Sequence, residues 1–310
     1  MPAQDKPTSV IAVDVGGTQL RAARVTRDGR VVERAALPVS APDDGAALTR
    51  QLLDLVRPLL VPDAGAVGVG LPAVIDRMSG RVEWAPHLPG WNGTPLARAL
   101  AEELEMPVVL EYDGHAAALG EHWAGAGRGV EDMVCLVVGT GVGGGIIAGG
   151  RLIRGHTNLA GATGWMGVPT RVDVRDPELS GMGVLEGLIA GPGIERAAAR
   201  RIGRPVPSKE VFDKAAAGDP DCGAIVRDAL EHLSWGLVNV VSMLDPALVL
   251  LGGSVGLRLG AYAADLEATV RKFAQPWSAR RVRIAPAGLG GDAGLLGAAR
   301  SALDYLETRR

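Results

Sequence analysis

The residues best suited to chemistry sit in short glycine-rich stretches. Asp14-Val15-Gly16-Gly17-Thr18 ends an apolar run and places a carboxylate, two glycines and a hydroxyl in one turn. Glycines at a strand end permit φ > 0 and close approach of backbone to ligand, so successive amides can cradle phosphate oxygens. The Thr18 hydroxyl can add a hydrogen bond, and Asp14 can orient water around a magnesium ion carried on those phosphates. A plain hairpin turn would use the same residues. Gly139-Thr140-Gly141-Val142-Gly143-Gly144-Gly145 is richer and contains G-x-G-x-x-G at Gly139, Gly141 and Gly144. A dinucleotide fingerprint must open a helix, whereas IIAGG follows here and reads as a strand. No G-K-[ST] occurs, which excludes a P-loop. A phosphate-binding hairpin or a structural turn remains. Gly252-Gly253 follows the apolar run ALVLL, where a nucleotide could pack closely at the carboxyl edge of a sheet. Asp113 follows PVVLEY and opens a helical stretch. A carboxylate at such a junction can accept a proton from a hydroxyl, or cap the helix.

The elements that must hold these groups alternate between strand and helix, which predicts an α/β protein. Strands are expected at Ser9 to Val15, Leu20 to Thr26 and from Arg30, with Asp28-Gly29 as a hairpin turn. A helix from Ala46 to Leu60, a strand at Ala66 to Leu71, a helix at Pro95 to Leu104 and a strand at Pro107 to Tyr112 follow. Met133 to Gly139 then restarts the strand, glycine turn, returning strand layout seen near Asp14, which suggests two related halves. Helices are expected at Glu186 to Arg201, Ile225 to Met243, Tyr262 to Phe273 and Ala293 to Leu306, with strands at ALVLLGG and VRIAPA. The glycine-rich AGAGRGV predicts a first domain over 1–127 and a larger one over 128–292, with 293–310 a terminal helix packing back on the first.

Composition excludes several classes. Lys+Arg (32) against Asp+Glu (35) leaves a net charge of -3, so no nucleic-acid or membrane partner is expected. The 44 glycines in 310 residues have no three-residue period, which rules out a collagen-like chain. Cys135 and Cys222 cannot make a disulfide framework, and the absence of a signal-like start agrees with a cytoplasmic location.

Taken in order, these motifs resemble the ROK family of sugar kinases and sugar-responsive repressors. The family's proline loop matches Gly70-Leu71-Pro72 with Asp76, and its tryptophan segment matches Gly90-Trp91 with Pro95-Leu96. Its catalytic motif matches Tyr112 to Glu121, and its C-terminal glycine segment matches Gly291 to Ala298. The resemblance implies a two-domain actin-like ATPase (ribonuclease H-like) fold with an interdomain cleft, and ATP-dependent phosphoryl transfer to a sugar hydroxyl. Asp113 would be the general base. Asp14, Gly16, Gly17, Thr18, Gly139, Thr140, Gly141, Gly143, Gly252 and Gly253 would hold ATP, with Mg2+ bound through water at Asp14. A homodimer is the implied assembly.

The implied sugar site comprises Pro72, His87, Tyr112, Asp113, Ala162, Trp165 and Glu186, and departs from the family. Tyr112 stands where asparagine is usual, Ala162 replaces a glutamate and Trp165 a histidine, while Glu186 is retained. Polar sugar contacts are thus lost and aromatic faces gained, which disfavours plain glucose and points to a shifted acceptor. His115, His156 and Asn158 are further polar candidates. The family's zinc cluster has no counterpart: no cysteine or histidine lies between Trp165 and Glu186, and Asp173, Asp176 and Glu178 are poor zinc ligands. No zinc is expected. The alternative is a catalytically silent sugar or nucleotide sensor. Eight residues before Ser9 are too few for a DNA-binding domain of the repressor type.

Overall fold

The computed structural model describes residues 7–170 and 177–308. They form two compact units, each built on a five-stranded sheet. The first unit takes the chain up to Arg128, the excursion Leu152–Ala160 and the stretch from Gly291. In order come β1 (Ser9–Val15), β2 (Gln19–Thr26), β3 (Val31–Pro38), α1 (Gly45–Val56), β4 (Ala64–Leu71), β5 (Val74–Asp76), β6 (Arg81–Trp84), α2 (Leu96–Leu104), β7 (Val108–Tyr112) and α3 (Asp113–Ala124). The sheet order is β3-β2-β1-β4-β7, while β5 and β6 make a separate hairpin absent from the sequence-based expectation. β1 is antiparallel to β2 but parallel to β4, and β4 is parallel to β7. The three parallel strands therefore end at one carboxyl edge. β1 is almost wholly buried, which is why SVIAVDV is nearly continuous in apolar residues.

The second unit contains β8 (Met133–Val138), β9 (Val142–Ala148), the first residue of β10 (Arg151–Ile153), α4 (Pro177–Met182), α5 (Val184–Ile189), α6 (Gly191–Ile202), α7 (Ser208–Ala216) and α8 (Pro220–Leu244). β11 (Leu248–Gly252), α9 (Gly253–Gly260), α10 (Ala263–Phe273), α11 (Pro276–Ala279) and β12 (Arg283–Pro286) complete it. Its order, β10-β9-β8-β11-β12, repeats that of the first sheet, with β8 antiparallel to β9 and parallel to β11. Three expectations need correction. Val142 to Gly145 belong to β9 rather than to the turn. The helix expected over Glu186 to Arg201 is two helices, broken by extended backbone at Ala190 ahead of Gly191-Pro192. The helix expected from Ile225 starts at Pro220, where Asp219 accepts from the Cys222 amide and proline suits the first turn.

The closing helix, α12 (Ala293–Thr308), packs in the first unit against α3, β4 and β1. Glycine makes that approach possible. A Cβ on Gly297 would lie 1.6 Å from the Ala116 carbonyl oxygen, one on Gly120 2.1 Å from that of Ala293, and one on Gly68 2.0 Å from that of Ala298. No helix among the described residues is long and apolar enough to cross a membrane.

Candidate active site

In the first unit, sheet register gathers the predicted residues. Asp14 pairs across β1–β4 with Gly70, and Leu71 pairs across β4–β7 with Tyr112. Gly16, Gly17 and Thr18, then Pro72, then Tyr112 and Asp113 therefore leave neighbouring strands at the same edge. The turn is closed by the Gly16 amide donating to the Gln19 carbonyl at 2.9 Å, and Thr18 is exposed. His87 joins them: a Cβ on Gly17 would be 3.9 Å from the His87 Cβ. Asp113 occupies the first turn of α3, while the extended Tyr112 takes the cap position. Its Oδ1 accepts from the Gly114 amide at 2.7 Å, which fixes the carboxylate at the helix start.

Asp14 carries a partner that residue types alone did not indicate. Arg21 stands directly opposite it in the β1–β2 register, and its guanidinium donates to the Asp14 carboxylate. Burial raises the Asp14 pKa, against the opposing pull of Arg21. On its other side, a Cβ on Gly294 would lie 2.8 Å from Asp14 Oδ1, so glycine there leaves room for the carboxylate. Arg34 and Asp292 form a bidentate pair at 2.8 Å, and that contact lowers the Asp292 pKa. Among the described residues no three His, Cys, Asp or Glu side chains group as a metal site. A single carboxylate does fit a magnesium ion that keeps its waters and takes its remaining ligands from phosphates.

Behind Tyr112 lies a buried polar network. Glu111, 1 % exposed, accepts from Arg154 at 2.6 Å and from the Ser301 hydroxyl at 3.1 Å, and its other oxygen faces His115 Nδ1 at 3.2 Å. Burial would raise the Glu111 pKa, but the His115 contact and the Arg154 charge and hydrogen bond bring it below its ordinary value. His115 Nε2 lies 2.7 Å from the Ala160 carbonyl oxygen, and its ring meets Tyr112 edge-on at 5.1 Å. His115 is thus a packed scaffold residue. His156 is exposed.

In the second unit the glycine turn is held from two sides. The Gly139 amide donates to the Gly141 carbonyl at 2.9 Å, and the Gly191 amide to the Gly139 carbonyl at 2.8 Å. Glu186 Oε2 accepts from the Val142 amide at 2.7 Å, so this carboxylate braces the turn. Thr140 is exposed beside it. Gly252 pairs with Val137, so Gly253, which opens α9, stands at the same edge as the Gly139 turn. Gly253 has φ +79°, and a Cβ there would lie 2.3 Å from the Val138 carbonyl oxygen. Ala162 precedes a short turn at Thr163–Trp165, tied to β9 by the Thr163 hydroxyl donating to the Gly143 carbonyl at 3.1 Å. Gly143 itself lies within β9. The Trp165 side is open to solvent, the residue being 53 % exposed. Asp173 and Asp176 lie outside the described residues.

A strand, glycine turn, strand repeated on two like-ordered sheets marks an α/β protein of the actin-like ATPase fold. The chain belongs to the ROK family, whose model matches residues 10–304. It is 36% identical over 295 residues to an N-acetylmannosamine kinase of Citrobacter koseri, covering 94% of this chain and 97% of the relative. A glucokinase of Halalkalibacterium halodurans is 30% identical over 307 residues, covering 93% and 92%. Among solved structures, a ROK family glucokinase from Streptomyces griseus in complex with glucose and AMPPNP superimposes with a TM-score of 0.80 at 29% identity, covering 96% and 99%.

Proposed function

We propose that the chain transfers the γ-phosphoryl group of ATP to a hydroxyl of a sugar or sugar derivative, with Asp113 as general base. The observation that carries this is the shared edge of β1, β4 and β7, which brings the Gly16-Gly17 turn and the Asp113 carboxylate to one side of one sheet. Relatives named as glucokinase and N-acetylmannosamine kinase support the sugar-kinase class. Backbone amides of the two glycine turns, other than those of Gly16, Gly139 and Val142 that close or brace them, would hold phosphates, and the N-terminus of α9 at Gly253 would favour their negative charge. Magnesium, when bound with ATP, would neutralise charge on the phosphates, and Asp14 would orient its water ligands. Asp113 would accept the proton of the attacking hydroxyl as the oxygen meets the phosphorus.

Tyr112 and Trp165 replace polar family residues with aromatic faces, and Ala162 removes a carboxylate. A site altered in this way favours a derivative with apolar surface over plain glucose. The family resemblance adds a cytoplasmic homodimer, with neither zinc nor nucleic acid. ADP formation from MgATP across a panel of sugars and derivatives, with Asp113→Asn as control, tests the reading. Acceptor-dependent turnover abolished by that change is expected. Turnover without an acceptor dependence would overturn the function, and strong phosphorylation of glucose would overturn the shifted specificity.

A further inference from the structure

The excursion Leu152–Ala160 is mounted at both ends on the β7–α3 junction. Arg154 near its start donates to Glu111, and the carbonyl of Ala160 at its end faces His115. The loop closes on itself through the Ala160 amide, which donates to the Arg154 carbonyl at 3.0 Å. Glu111 and His115 flank Tyr112 and Asp113 in sequence, so the loop is fixed beside the proposed base and its aromatic neighbour. Within this clamp sits Asn158, 6 % exposed, with φ +61°. Asparagine tolerates that left-handed backbone better than most residues.

Both polar atoms of the Asn158 side chain are buried without a hydrogen-bond partner, and so is Arg154 Nε. Buried amides are nearly always paired, because leaving donor and acceptor unmet is costly. The carboxylate nearest this loop in the bonding scheme, Glu111, is already engaged by Arg154, His115 and Ser301. Asn158 therefore offers a donor and an acceptor, on a rigid mount, to something outside this network.

We infer that Asn158 forms a hydrogen-bonding subsite for the phosphoryl acceptor, recognising a neutral substituent that donates and accepts at once: a hydroxyl or an acylamino group. The inference rests on the sugar-kinase reading above.

The experiment compares wild type with Asn158→Gly and Asn158→Asp, using glucose, mannose, N-acetylglucosamine and N-acetylmannosamine. Glycine adopts φ > 0 freely, so Asn158→Gly removes the amide without straining the loop; a melting curve checks that it folds. Asn158→Asp keeps the shape but loses the donor. For the recognised acceptor, KM is expected to rise about tenfold or more in both variants, with kcat and the KM for ATP changed by less than about threefold. A rise confined to the N-acetyl sugars identifies an acylamino substituent, and one confined to the plain hexoses a hydroxyl. Unchanged acceptor KM values, with or without a higher melting temperature from removal of an unpaired amide, would overturn the subsite. Should wild type phosphorylate none of the sugars, the kinase reading fails for this panel, and calorimetric binding of the same sugars decides the subsite. Binding weakened by Asn158→Gly would uphold it. Equal or absent binding would overturn it.

Discussion

The two sheets share strand order and the position of a glycine turn, but the residues flanking that turn differ in kind. In the first, Asp14 lies opposite Arg21 and beside Gly70. The corresponding place in the second is Val137, opposite Gly143 and beside Gly252. A parallel neighbour with glycine at this level recurs, while the acid–base pair does not. The first edge bears carboxylates, Asp14 and Asp113. At the second edge the acid beside the turn, Glu186, is turned inward onto the Val142 amide. On the proposed function, the two like-ordered edges would carry different tasks. Acids suit proton and magnesium chemistry, whereas amides suit phosphate oxygens.

The largest effect that would break this division is at Asp113. Asp113→Asn should lower kcat by about 10²–10⁴-fold, with both KM values within a few-fold and an unchanged melting temperature, because only proton acceptance is removed. Steady-state ADP release measures it. A loss expressed in KM alone would remove Asp113 from the base role. Asp14→Asn should follow: on the proposed role, in which its charge would orient the metal's waters, kcat/KM for MgATP should fall by about 10²-fold. Burial already disfavours the ionised Asp14, so its folded pKa is raised and its charge costs stability at neutral pH. The amide should therefore not lower the melting temperature. A clear drop in thermal stability would make Asp14 a structural partner of Arg21 first.

Much of this contrast is legible in the residues. SVIAVDV followed by Gly16-Gly17 reads as strand and turn, whereas the place of Arg21 opposite Asp14 comes only with the β1–β2 register. What could not be read depends on distant partners. Glu111 meets Arg154 across 43 positions and Ser301 across 190, and no local periodicity reports such contacts. Val142 to Gly145 reads as turn from its run of glycines, which are depleted in strands. Its neighbours explain the strand: a Cβ on Gly144 would lie 2.4 Å from the Cys135 carbonyl oxygen. Much the same holds for the surplus of glycine. Gly68, Gly120 and Gly297 serve helix seating rather than phosphate binding, a role visible only once α12 is placed.

Smaller effects sharpen the comparison from the second edge. Gly253→Ala should destabilise by about 1–3 kcal/mol, since alanine must adopt φ +79° with its Cβ against the Val138 carbonyl. The KM for ATP should rise more than that for the acceptor. Chemical denaturation and the two KM values check both. Glu186 separates bracing from ligand contact. Glu186→Gln keeps an oxygen for the Val142 amide and should cost about threefold in kcat/KM, whereas Glu186→Ala should cost about tenfold or more. Equal losses in the two variants would mean that the carboxylate's charge is itself required.

The smallest effect concerns acid. Among the described residues, the fully buried carboxylates and imidazole, Glu111, Glu121 and His115, all lie in the first unit, while the buried polar side chains of the second are hydroxyls. Glu111 has a lowered folded pKa, so the stability it contributes is present above the ordinary glutamate value of about 4.3 and is lost as pH falls through the folded value. Asp14 has the opposite sign, its contribution being present at low pH and lost as pH rises through its raised pKa. The β7–α3 junction should therefore loosen in acid while the end of β1 does not. Hydrogen exchange, corrected for intrinsic rates, should show peptides over Val108–Ala124 losing protection between about pH 5 and 3, before those over Met133–Val138 and Leu248–Gly252. Simultaneous loss in both units would show that acid acts through the whole chain's positive charge rather than through the Glu111 network.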